Sequence, residues 1–326
     1  MDALLARSPE IRASELAARA KVSRQAAQRH LARAVDDGRL VPLGSGRSAR
    51  YREVPGPVAH FRWPRAVLDE GRAWDEVRAR VPSITALSGN VLSVFQYAFT
   101  ELVNNAVEHS GAREVEVLVE SSSGRLAFEV IDRGCGAFDS VRQALRLASN
   151  LEALQELSKG KVTTRPERHA GEGLFFVSKA ADLFVLESGG LRWTVDGERE
   201  DTTVGQIPAR PGTRVRFEAR TSGLRQLADL FAEYTENYAF SRTRTVVRLF
   251  ALGVRFVSRS EARRLVHGLE RFDHVTLDFG GVEEVGQGFV DEVFRVWSKT
   301  HPRVELVPVR MAPTVEFMVR RGLGPR

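Results

Sequence analysis

Cysteine is almost missing from this chain: Cys135 is the only one in 326 residues. An internal disulfide is excluded, and so is a zinc site built on cysteine pairs. A reducing, cytoplasmic home is the default expectation for such a chain. Long apolar runs are missing too. The longest are short, such as Leu249 to Leu252, far from the ~20 residues that cross a bilayer, so no membrane contact is expected. Met1-Asp2-Ala3-Leu4-Leu5 lacks a basic stretch followed by an apolar core, and no signal peptide is expected. Histidine is sparse, and neither His109 nor His169 has companions at metal-ligand spacing. What is present is ordinary for a globular chain, with 43% hydrophobic and 28% charged residues. The length exceeds what one core usually serves, so a multidomain chain of two or three units is expected.

The net charge of +6 is unevenly spread. Residues 1–54 hold 11 Lys+Arg against 6 Asp+Glu, which suggests a polyanion partner for this end. Pro55-Gly56-Pro57 breaks any element and marks a linker. Before it the pattern predicts helix, helix, helix and a β-wing. Ser14 can cap a helix carrying Leu16, Ala17 and Ala20. Ser23 can cap a longer one with Ala27, Leu31, Ala34 and Val35 at helical spacing, ended by Gly38. Leu40 to Leu43 and Ala49 to Val54 read as two strands around Gly44 to Ser48. This module, residues 1–55, resembles the winged helix-turn-helix domains of bacterial transcription regulators. The resemblance makes the second of these helices a recognition helix for double-stranded DNA, presenting Arg24, Gln25, Gln28, Arg29 and Arg33, with Arg47, Arg50 and Arg52 on the wing toward phosphates. The same residues also suit a solvated basic helix or a protein-docking module. Paired half-sites are common for this motif, which makes a homodimer the expected DNA-bound form.

The strongest signal begins at Val91. Val91, Phe95, Ala98, Leu102 and Ala106 mark the buried face of a helix, and Glu101, Asn104, Asn105 and Glu108 form a polar stripe on another face. Val115 to Val119 and Leu126 to Val130 alternate as strands, with a hairpin turn over Ser121 to Gly124. The second strand runs into Asp132-Arg133-Gly134-Cys135-Gly136, and Cys135 reads as a small packing residue. Later, Gly171-Glu172-Gly173-Leu174 opens an apolar helix, where free N–H groups suit phosphates. Pro211-Gly212-Thr213 then leads a strand to Phe217.

These pieces, in this order, resemble the GHKL superfamily of gyrase, heat-shock chaperone, histidine kinase and mismatch-repair ATPases. Within it the nearest likeness is to anti-sigma-factor serine kinases and histidine kinases. The resemblance implies an α/β sandwich of the Bergerat type over residues 56–222, binding ATP with Mg²⁺. It gives Asn105 the Mg²⁺ and Asp132 the adenine amine. It sets Gly134 and Gly136 against the base, and Gly171 and Gly173 at a lid over the phosphates, with Leu174 behind them. Thr213 helps hold adenine. Glu101 is the candidate general base, or else only orients a Mg²⁺-bound water. The lid reads as a helix from Asp139 to Ser158 followed by Lys159 to Arg165. Lys161, Arg165 and Arg168 are cations within reach of a phosphate, though each also reads as a solvated charge.

From Val246 the pattern alternates. Strands are expected over Val246 to Leu252, Val275 to Phe279 and Val304 to Val307. Helices are expected over Ser260 to Leu269, Gly288 to Trp297 and Thr314 to Arg321. Residues 240–326 resemble the small α/β STAS fold of anti-sigma-factor antagonists, through Leu277 to Gly288. Where that family carries a phosphorylatable hydroxyl, this chain has Gly286-Gln287-Gly288-Phe289. Asp291 and Glu292 read as a solvated acidic first turn. The domain is expected to read its neighbouring ATPase or a partner protein. Two functions stand: a nucleotide-controlled DNA-binding regulator, or a serine/threonine kinase or ATPase acting on a partner.

Overall fold

The computed structural model describes residues 10–37, 39–43, 49–54, 58–87, 89–122, 124–160, 173–223, 226–234, 244–249 and 256–323. They form two compact units, Met1–Asn150 with Phe176–Gln226, and Leu151–Phe175 with Leu227–Arg326. The N-terminal module belongs to the first unit, and part of the expected lid to the second. Among the described residues no helix is long and apolar enough to cross a membrane.

In the first unit, β1 (Glu10–Arg12), α1 (Ala13–Ala20), α2 (Arg24–Asp36), β2 (Leu40–Leu43) and β3 (Arg50–Glu53) follow in order. The antiparallel sheet runs β1-β3-β2. The further helix expected ahead of these falls largely on residues 1–9, outside the described residues. Ser23 caps α2 as expected, its Oγ accepting the Ala26 N–H at 3.1 Å. Ser14 does not cap α1. The cap position is Arg12, whose N–H donates to the Glu15 carboxylate at 2.8 Å. Ala27, Leu31 and Ala34 pack on Ile11, Leu16 and Leu40 in one small core.

The large sheet has seven antiparallel strands in the order β4-β5-β6-β10-β7-β8-β9. They are β4 (Ala59–Pro64), β5 (Glu114–Ser122), β6 (Arg125–Asp132), β7 (Leu183–Ser188), β8 (Leu191–Asp196), β9 (Asp201–Gln206) and β10 (Thr213–Arg220). Gly124, at φ +76°, closes the expected β5–β6 hairpin. One face is covered by α3 (Glu70–Arg80) and α4 (Gly89–His109). Alternation fixes that face: Phe128 and Phe217 stack at 5.3 Å, and Phe95 of α4 meets Phe217 edge-on at 5.3 Å. Trp74 of α3 lies 5.3 Å from Phe99. Burying each such ring contributes about 2–3 kcal/mol.

The opposite face is charged yet covered. Arg216 is buried among Glu120, Glu129 and Glu218, at 2.7, 3.2 and 3.0 Å. Val41 and Leu43 of β2 pack on Leu183 and Val185 of β7 over the same face. Burial alone would raise the Glu218 carboxyl, but Arg216, Arg52 and Arg125 hold it below its ordinary 4.5. Burial prevails at Glu120, which is raised against the pull of Arg216. The two act in opposite directions. The stability given by Glu218 is full above its unfolded pKa and is lost as pH falls through the lower folded one. That of Glu120 is full in acid and is lost as pH rises through its raised value. Urea midpoints taken from about pH 6 down to about pH 3 should therefore show an acid loss that Glu218→Gln flattens.

The expected single lid helix is two. α5 (Ala137–Ala144) stops, Arg146 adopts φ +54°, and α6 (Asn150–Lys159) starts afresh. At the break the Asn150 side chain accepts from Arg142 Nε at 3.0 Å and donates to Gly189 O at 3.2 Å. After the undescribed stretch 161–172, α7 (Gly173–Ala180) leads to β7.

The second unit holds α8 (Leu227–Tyr234), β11 (Arg244–Arg248), α9 (Arg259–Val266), β12 (His274–Asp278), β13 (Glu305–Val309) and α11 (Pro313–Leu323). Between β12 and β13 lies α10, made of Gln287–Val290, a π-helical Asp291–Trp297 and Ser298–Thr300. The three parallel strands order β11-β12-β13, the small sheet expected from the alternation. The first strand sits earlier than Val246 to Leu252, because its pairing to β12 starts at Arg244–His274 and residues 250–255 lie outside the described residues. Ser258 and Glu261 form a capping box at α9. Glu292 is not solvated: it is buried and accepts from Arg263 Nε at 2.7 Å, while Asp291 pairs with Arg295 at 2.9 Å. Within this unit α6 contributes Lys159, which is buried, pairs with Glu156 and donates to His267 O at 3.1 Å.

Candidate functional site

Three neighbouring strands end in one row. Register sets Asp132 of β6 beside Thr213 of β10, and Thr213 beside Ser188 of β7. All three lie on the face that packs against α4. Asp132 is 6% exposed. Its Oδ1 accepts the N–H of Gly134 at 2.9 Å and of Thr213 at 3.3 Å. Burial pushes the Asp132 carboxyl above its ordinary 3.8, and these two amides, with the Thr213 hydroxyl, oppose that push. A carboxylate has about four lone-pair sites, so the two amides and the Thr213 hydroxyl leave acceptor capacity for one further donor.

The turn after Asp132 is pinned on both sides. Cys135 N–H donates to Ser110 O at 2.8 Å, tying the turn to the end of α4. A Cβ at Gly134 would overlap that same carbonyl. At Gly136, φ is +82° and a Cβ would stand 2.7 Å from Ser188 Oγ. Gly212, at φ +78°, has its Cβ space filled by Asp132 O. The immediate reason for these three glycines is thus the packing of the turn on its neighbours. Cys135 is exposed rather than packed, with Sγ 3.1 Å from His109 O, because the backbone tie to Ser110 turns the side chain outward. Thr213 has a structural role as well: its Oγ1 accepts the Ala137 N–H at 3.0 Å and so caps α5 from another strand. Ser110, Ser188 and Gly212 were not singled out from sequence. Ser110 and Ser188 carry no local signal, and Gly212 carries one only as part of Pro211-Gly212-Thr213.

On α4 the polar stripe is real. Glu101, Asn104, Asn105 and Glu108 are half-buried, while Leu102, Val103 and Ala106 between them are buried. Asn105 stands five residues before Ser110, roughly 7.5 Å along the axis from the pinned turn. The first unit therefore holds Asp132, Gly134, Gly136 and Thr213 at one turn, and Glu101 and Asn105 on the helix whose end is tied to that turn. Gly171 lies outside the described residues, as do Lys161, Arg165, Arg168 and His169. Gly173 opens α7, and Gly173 and half-buried Leu174 fall in the second unit.

The DNA-binding candidates divide. Arg24, Gln25, Gln28, Arg29 and Arg33 are all exposed on α2, opposite buried Ala27, Leu31 and Ala34. Arg47 lies outside the described residues. Arg50 is half-buried and donates to Glu10 at 3.3 Å, and Arg52 is ion-paired to Glu218.

These features fit an adenine nucleotide: a buried carboxylate with spare acceptor capacity, a glycine-pinned turn beside it, and an amide-bearing helix face one and a half turns away. Comparison with known proteins agrees. Residues 66–196 match the model of the histidine kinase-like ATPase domain. Residues 261–316 match that of a STAS-like domain of unknown function (DUF4325). No curated protein matches the chain. The first match spans Glu101, Asn105, Asp132 and the glycines, and stops before β10, the strand at the centre of the sheet. The chain carries a histidine kinase-like ATPase domain, a family that implies ATP usually with Mg²⁺, followed by a STAS-like domain.

Proposed function

We propose that the chain is an ATP- and Mg²⁺-dependent regulator whose N-terminal winged helix-turn-helix binds double-stranded DNA. The observation that carries the nucleotide half is buried Asp132, held by Gly134 and Thr213 with capacity to accept one more donor. Asp132 accepts from the adenine amine, and Asn105 gives its carbonyl oxygen to Mg²⁺. Bound ATP supplies a transferable γ-phosphoryl group. The DNA half rests on α2, whose exposed face joins three arginines to two glutamines. That set offers both phosphate contacts and base-edge forks.

Fluorescence anisotropy on a DNA duplex tests the reading. Arg29→Ala with Arg33→Ala should weaken binding at every sequence and lower the salt slope by about 0.9 per lost phosphate contact. Adding ATP should move the isotherm, and superimposable curves with and without ATP would remove the coupling.

A second reading is favoured by Glu101, half-buried one turn before Asn105 on the same stripe. As general base it takes the proton of an attacking hydroxyl or water. Transfer of γ-label to a partner protein or to water, reduced about 100-fold or more in Glu101→Gln with nucleotide affinity retained, is the expected sign.

A further inference from the structure

The β2–β3 edge of the N-terminal module is not free. Arg52 is ion-paired to Glu218, whose side chain is only 3% exposed. Glu218 also takes Arg216 at 3.0 Å and Arg125 at 3.3 Å. Beside it, Arg50 reaches Glu10 at 3.3 Å, and Glu10 is held in turn by Arg199 of the ATPase sheet at 2.9 Å. Val41 and Leu43 complete the seam on Leu183 and Val185. The outer face of the sheet thus presents fixed carboxylate oxygens over an apolar floor. An arginine seated there has one guanidinium nitrogen already on a carboxylate oxygen, the kind of partner a phosphate oxygen would replace. Meanwhile the arginines of α2 stay exposed.

We propose that the outer face of the ATPase sheet competes with nucleic acid for this module. Its carboxylates hold the β2–β3 edge through Arg52, with Arg50 held by Glu10. A phosphate backbone meets α2 alone while the edge is seated. It gains Arg52 only when that side chain leaves Glu218, and Arg50 only when Glu10 lets it go. The seat is on β10, the strand that also carries Thr213 of the nucleotide site, so one rigid strand links the two. This inference rests on the DNA reading above.

The test uses the full chain and a random-sequence duplex of about 20 base pairs across a salt series. Glu218→Gln should tighten binding at low salt by about tenfold and steepen the salt slope by about 0.9 for each arginine released. Glu10→Gln, on a more open side of the seam, should act in the same direction without disturbing the buried cluster. Arg52→Ala frees the edge but removes its arginine, so the slope should not rise. Without DNA, amide exchange in Arg50–Glu53 should quicken in Glu218→Gln and in Arg52→Ala, and stay unchanged in β11–β13. If the wild-type chain binds through Arg29 and Arg33 but both glutamine variants leave its slope unchanged, the competition is wrong and the DNA reading survives. If neither wild type nor variants bind, the DNA reading fails and takes this one with it. Should Glu218→Gln not fold, unchanged exchange in Arg52→Ala overturns the seat by itself.

Discussion

Asp132→Asn should lower ATP affinity by roughly tenfold to a hundredfold, measured calorimetrically with Mg²⁺ present. The amide keeps an oxygen for the Gly134 and Thr213 N–H groups, which now share Asp132 Oδ1. It replaces the other oxygen by an NH₂ group, a donor facing the adenine amine, which is also a donor. Two donors aimed at each other in a buried site leave both unsatisfied, and that is what makes the loss large. The fold should survive, because the turn keeps its ties to Ser110 through Cys135 N–H. Asn105→Ala has a different signature: it removes the oxygen proposed above for Mg²⁺, so the gain in affinity that Mg²⁺ brings should shrink while binding in EDTA changes little. If Asp132→Asn binds ATP as wild type does, buried Asp132 is only a structural carboxylate and the site lies elsewhere.

Gly134→Ala should cost the first unit on the order of 3–5 kcal/mol, among the largest effects a single methyl can have. The added carbon overlaps Ser110 O, which is backbone at the end of a long helix and already accepts the Cys135 N–H at 2.8 Å. Neither partner is a flexible side chain that swings aside. α4 cannot retreat either, since Phe95 and Phe99 lock it to the sheet. Gly89→Ala is the matched control, because a Cβ there meets nothing within 4 Å. It should be neutral or stabilising by up to about 1 kcal/mol. Thermal unfolding of the two variants side by side decides the matter, and coincident midpoints would show that the turn is looser than its contacts imply.

Much of the fold around the candidate site was legible because its determinants are local. Period-two alternation places Phe128 and Val130 inward along β6, and helical spacing separates Ala98, Leu102 and Ala106 from Glu101 and Asn105. Ser23 announces α2 because a cap bonds only three residues ahead. What escaped reading depends on distant partners. The lid helix breaks where Asn150 finds Gly189 O, 39 residues on. Glu292 is buried because Arg263, 29 residues away, arrives to meet it, and a first turn of a helix seen alone looks solvated. The seating of Arg52 on Glu218 joins residues 166 apart, so a wing read by itself shows only a free cation. Thr213 looked like a ligand-binding residue alone, and its cap on Ala137 appears only once β10 is laid beside β6.

In the STAS-like domain the segment Gly286-Gln287-Gly288-Phe289 carries no hydroxyl, and its backbone limits what position 286 can hold. Gly286 N–H donates to Phe256 O at 2.8 Å, and a Cβ at 286 would lie 2.5 Å from Val257 Cα. A hydroxyl side chain at 286 therefore does not fit the backbone as it stands. The segment through Phe256 and Val257 has to move first, carrying Phe256 off the ring of Phe289, 5.4 Å away in the core. Position 286 is thus closed to any side chain that could carry a phosphate while Val257 stays where it is.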